Sequence, residues 1–135
     1  HLAVRQVISM LAESRPVIAH CFAGKDRTGF TVATVLGAVG IERDAILTDF
    51  LRSNDAVPQL REGILETIRT WAGQTAEGVT FAEARLTEEV LGVREEYLDA
   101  ALGVVESEYG SLSNYLAAIG VTDDQLTRLR SVLRG

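Results

Sequence analysis

Residues 20–29 read HCFAGKDRTG and hold both the single cysteine of the chain, Cys21, and its single lysine, Lys25. Five residues separate Cys21 from Arg27, enough chain for a loop to curl and bring the arginine back over the sulfur. A thiolate is a nucleophile. A planar guanidinium grips two oxygens of a phosphate at once, which an ammonium cannot do. Gly24 and Gly29 permit tight backbone geometry and close approach of a ligand. Thr28 places a hydroxyl where it would stabilise the sulfur as a leaving group, and Lys25 adds positive charge at the rim. The chemistry these types and spacings suit is displacement at phosphorus, with Cys21 as nucleophile and Arg27 as phosphate clamp.

A lone cysteine is more often a small buried hydrophobe than a nucleophile. The spacing to Arg27, with the glycines and Thr28, favours the active-site reading here. His20 suits a supporting role better than that of a base: it would bond backbone and orient Cys21. Phe22 either lines the pocket or packs beneath it, and the pocket is favoured. Asp49, Arg52 and Asp55 read as helix-surface groups or structural ion pairs. A redox role for the thiol would be secondary, because the sequence has no second cysteine to resolve a sulfenic acid.

The elements that must position this loop are mostly helices. Val4, Val7, Ile8 and Leu11 share one face of a helix over 2–14, stopped by Pro16. Val17, Ile18 and Ala19 form a short apolar run that suits a buried parallel strand. After the loop, 27–39 reads as a largely buried helix closed by Gly40. Strand, glycine-containing loop and helix N-terminus in that order make an anion site: amides point inward and the helix dipole adds positive potential. A second helix is expected over 43–54, with Ile46, Leu47, Phe50 and Leu51 inward. Val57, Leu60, Ile64, Ile68 and Trp71 mark an amphipathic helix, and 74–78 reads as a polar break. Thr80 with Glu83 is a capping-box signature for the next helix, to about 91. Another helix spans 94–109, buried through Tyr97, Leu98, Ala101 and Val105. A shorter one over 111–119 is closed by Gly120. Thr122 with Gln125 makes a second capping box, with Val121 and Leu126 as its staple. Leu126, Leu129 and Leu133 are expected to face the core.

At 135 residues, 47% hydrophobic and 24% charged, the chain has the size and composition of one globular domain. No apolar run approaches the ~18 residues a membrane span needs. A net charge of −6 argues against a broad nucleic-acid surface, and no nucleic-acid partner is expected. One cysteine excludes an internal disulfide and fits a reducing compartment or a reactive thiol. One strand cannot make a sheet. The chain is therefore expected to be the C-terminal part of a larger α/β domain with its other strands upstream; His1 is not a natural start.

The loop resembles the His-Cys-x5-Arg-Thr/Ser-Gly signature of the protein tyrosine phosphatase superfamily, and GKDRTG resembles a bacterial branch of it. Asp49-Phe50-Leu51-Arg52-Ser53-Asn54, Val93-Arg94 with Tyr97-Leu98, and Tyr109-Gly110-Ser111 look like the same branch, as the C-terminal half of its mycobacterial members. The resemblance implies an α/β fold with a central sheet flanked by helices, this chain supplying mostly helix. It implies a two-step reaction through a cysteinyl-phosphate, with the amides of residues 22–27 (Phe22, Ala23, Gly24, Lys25, Asp26, Arg27) and the Arg27 side chain on the phosphate oxygens. Neither metal nor cofactor is implied. It assigns Asp26 as general acid; the rival reading has Asp26 only ordering the loop. It implies phosphorylated protein and, from Lys25, phosphoinositide substrates. It also implies a two-helix lid over about 57–91, hinged near Gly73, Gly78 and Gly92, that could meet a membrane when open. Secretion is suggested by resemblance alone. The alternative from another class is a phosphate-binding module without turnover.

Overall fold

The structure, a computed structural model, describes residues 1–21, 23–71 and 76–135. Phe22, Gly73 and Gln74 lie outside that description, as does the side chain of Trp71.

Helix α1 (Leu2–Ala12) buries Val4, Ile8 and Ala12, the face its spacing marks. It stops short of Ser14 and of Pro16. Ser14 takes a left-handed φ of +59°. The Ser14 and Arg15 N–H groups bond back to Leu11 O and Met10 O at 2.9 and 3.0 Å, a Schellman closure. Val17, Ile18 and Ala19 then run as irregular chain, with Ile18 92% exposed. The expected strand is thus not formed. A strand exists only through a ladder partner, and the described residues contain helices and turns with no strand among them. The expected central sheet is accordingly missing from the described residues.

Helix α2 (Arg27–Ala38) follows the loop. Gly40, at φ +85°, closes it: the Gly40 and Ile41 N–H groups bond to Gly37 O and Leu36 O, both at 3.0 Å. Helix α3 (Arg43–Leu51) is shorter than 43–54, because the chain tightens into a 3-10 turn over Arg52–Ala56. Helix α4 (Val57–Trp71) buries Val57 and Leu65, and Leu60, Ile64 and Ile68 are half-buried. Helix α5 (Ala76–Arg85) already contains Gly78 and Thr80. The expected break therefore does not extend through Gly78, and Thr80 is an interior residue rather than a cap. Leu86 and Thr87 interrupt the run before the one-turn α6 (Glu88–Leu91).

Helix α7 (Glu95–Tyr109) buries Leu98 and Val105, but Tyr97 is 43% exposed because it lies beside rather than on the inward stripe. Helix α8 (Leu112–Ala118) is capped by the Ser111 hydroxyl. Helix α9 (Asp123–Arg134) carries the full Thr122–Gln125 capping box, with bonds of 3.0 and 3.2 Å. Leu129 is fully buried, while Leu133, in the last turn, is 44% exposed.

Two cores meet on α2. Ile8 of α1, Val35 and Ala38 of α2, Tyr115 and Leu116 of α8 and Leu129 of α9 belong to the first. Ala33 of α2, Ile46 and Phe50 of α3, Val93 in the chain before α7 and Leu98 of α7 form the second. The helix that begins at the loop is thus gripped on opposite sides.

Candidate active site

The loop turns directly into α2, so the first-turn amides and the dipole of that helix face the sulfur. Cys21 is half-buried. Its thiol is lowered from 9.0 to about 6. The Thr28 hydroxyl is the largest cause, then the Thr28 amide; burial partly opposes, and the amides of Gly24 and Ala23 add to the lowering. The Thr28 Oγ1 is buried and has no partner of full hydrogen-bond geometry. A negatively charged Cys21 sulfur is the acceptor that would satisfy it, so the same hydroxyl is orphaned with the thiol and useful with the thiolate.

Gly24 has φ +69° with open space where a side chain would sit, so its requirement is conformational. Gly29 is different. A Cβ there would stand 2.9 and 3.1 Å from the ring of Phe50, so any side chain at this position forces that ring or the start of α2 to shift. Phe50 is 7% exposed and lies behind the loop. Sequence reasoning saw it as core, and the signal for its role was the second glycine of the motif.

Arg27 is the first residue of α2, exposed, and its side chain has no ion pair or hydrogen bond among the described residues. Cys21 and Arg27 line one cleft of about 370 Å³ together with His20, Thr28 and Thr31. Its other wall is Val7 and Met10 of α1 with Val17, Ile18 and Ala19. His20 is exposed there and makes no hydrogen bond among the described residues. Asp26 occupies the N-cap position of α2, yet its carboxylate makes no capping bond. That side chain is 63% exposed and stands 3.9 Å from Lys25 Nζ. Lys25 is turned the other way: its ammonium donates to Val90 O at 2.8 Å and Gly92 O at 3.1 Å. Asp49 pairs with Arg52 at 3.9 Å on the surface, as expected of a helix-surface pair. Asn54, which sequence reasoning did not single out, bonds both backbone groups of Val93.

The structure thus brings an acidified thiol and an uncommitted guanidinium to one cleft, the pair of groups that displacement at phosphorus would use. The chain belongs to the tyrosine phosphatase family, whose sequence model matches residues 1–135. It is 53% identical to the triple specificity protein phosphatase PtpB of Mycobacterium tuberculosis, over 98% of this chain and 49% of that protein. It is 27% identical to a tyrosine-protein phosphatase of Nostoc commune, over 93% of this chain and 42% of the relative. The chain therefore spans about half the length of these relatives, or less.

Proposed function

We propose that the protein hydrolyses phosphate monoesters, phosphotyrosine among them, through a cysteinyl-phosphate on Cys21. The lowered thiol carries this reading: near neutral pH a group at about 6 is already thiolate. The thiolate attacks phosphorus and the bond to the leaving oxygen breaks. Asp26 gives that oxygen its proton, a role its exposed and uncapped carboxylate supports. Water then attacks the cysteinyl-phosphate and passes a proton to Asp26, and phosphate departs as the Cys21 thiolate re-forms beside the Thr28 hydroxyl. The loop amides and Arg27 hold the three equatorial oxygens as charge develops on them.

The residues act in this reading as the C-terminal part of one phosphatase domain, with α4–α6 as a cover over the loop. The triple specificity in the name of the mycobacterial relative supports a substrate range wider than phosphotyrosine, including phosphoserine or phosphothreonine and phosphoinositides. Membrane contact through α4–α6 belongs to the same reading.

The test is turnover of p-nitrophenyl phosphate, a phosphotyrosine peptide and phosphoinositide vesicles by the full-length protein, with Cys21→Ser as the blank. Cys21→Ser is expected to lose activity by a factor on the order of 10⁴ or more. Asp26→Asn is expected to lower kcat by about 10²-fold on a poor leaving group and less on a good one. Turnover that survives Cys21→Ser overturns the reading, and phosphate binding without turnover supports the docking module instead.

A further inference from the structure

The stretch from Val90 to Val93 is held from two sides. Asn54, in the 3-10 turn before α4, accepts from the Val93 N–H at 2.8 Å and donates to Val93 O at 3.0 Å. One side chain thereby satisfies both backbone groups of a residue 39 positions away, closing the base of the excursion that contains α4, α5 and α6. From the other side, Lys25 of the loop donates to Val90 O and Gly92 O, with its side chain only 16% exposed. Gly92 makes this convergence possible. A Cβ there would stand 2.6 Å from Glu88 O and 2.8 Å from Asn54 Oδ1.

The chain behind these bonds is firmly seated. Val93 is 4% exposed and packs with Ala33, Ile46, Phe50 and Leu98, the core that also holds the middle of α2. The excursion is bound within itself: Arg61 of α4 donates to Leu86 O and Glu83 O, and Arg69 pairs with Glu62, Glu66 and Glu83. Two hydrogen bonds from the Lys25 ammonium attach it to the loop. The chemistry suits lysine. A compact point charge on a flexible stem can sit between two carbonyls, where a planar guanidinium presents its donors in a fixed fork. That accounts for one lysine persisting among thirteen basic residues that are otherwise all arginine.

We propose that Asn54 and Lys25 are positioning residues that clasp the base of the 55–92 excursion to the phosphate loop. Lys25 immediately precedes Asp26 and Arg27, so the clasp sets where the proton donor and the clamp stand. A shift of the excursion is transmitted to the loop through the same two carbonyls. This rests on the phosphatase reading for its kinetic consequence, not for the clasp itself.

The experiment uses the full-length protein with Lys25→Met, Asn54→Ala and the double variant. Kinetics on p-nitrophenyl phosphate and deuterium uptake over 88–94 are the two readouts. Each single variant is expected to lower kcat about 10-fold with KM within about 2-fold, since a small misplacement of reacting groups falls on kcat. The double variant is expected to lose little more than the worse single one, because partners in one network do not add. Lys25→Met is expected to raise uptake over 88–94 although Asn54 is untouched. Losses that multiply to about 100-fold overturn the clasp. So does unchanged uptake in Lys25→Met, or a Lys25→Met effect confined to KM. Asn54→Asp, which keeps the acceptor and drops the donor, replaces Asn54→Ala in the cycle if the alanine variant does not fold. Uptake needs no turnover, so an active Cys21→Ser would sink the phosphatase reading while leaving the clasp to its own result.

Discussion

At the scale of single residues, the Cys21–Thr28 contact fixes a pH dependence. The thiol is lowered to about 6, so thiolate predominates above that pH and is lost as pH falls through it. Alkylation of Cys21 by iodoacetamide should therefore rise through a midpoint near 6 and level off above it. Thr28→Ala removes the largest cause of the lowering, so its midpoint should move up; a midpoint that stays put assigns the lowering to the loop amides alone. Cys21, Arg27, Thr28 and the two glycines were legible because their relation is local: a loop and the first turn of a helix set it. The partners of Lys25 were not, since they lie 65 and 67 positions away and are backbone carbonyls without a side-chain signature. Asn54 was hidden for the same reason.

At the scale of elements, periodicity and caps found most helices, and failed where tertiary context decides. Thr122 with Gln125 formed the expected box because all its atoms lie within one turn. Thr80 with Glu83 has the same spelling but sits inside α5, since a helix that has already begun leaves no free amides to cap. Val17, Ile18 and Ala19 carry the composition of a strand, and a strand is a property of a pair rather than of a segment. The meeting of α2 and α3 shows how narrow an element-level fit can be. Gly29→Ala would push a methyl into the ring of Phe50, which is itself buried, so the ring or the helix must shift. The expected cost is about 1–3 kcal/mol, read as a drop in Tm. A fall in kcat should accompany it, because either shift disturbs the contact behind the loop. Gly29→Ala combined with Phe50→Leu should recover part of both; a double variant as unstable as the single one would show that the clash lies elsewhere.

At the scale of the whole molecule, α2 is a mast fixed at both ends. Its N-terminus carries the loop, two cores flank it, and α9 holds its other end. Arg130 Nε donates to Ala38 O at 3.2 Å and Arg134 Nη1 donates to Val39 O at 2.9 Å. These cations satisfy carbonyls that a helix C-terminus leaves open, at the negative end of its dipole. The α9 helix can do this because α1 packs along it and Leu129 is fully buried beneath. The two ends of α2 are ~18 Å apart at 1.5 Å per residue, well beyond the last turn over which a cap acts. Arg130→Ala with Arg134→Ala should therefore cost about 1–3 kcal/mol in total, seen as a lower Tm. The midpoint of Cys21 alkylation and the KM for p-nitrophenyl phosphate should stay unchanged. Gly29→Ala, by contrast, should damage stability and turnover together. If the arginine variants also shift the Cys21 midpoint, α2 does not act as a rigid mast, and the acidity of the thiol depends on the far end of the helix as well as on the loop.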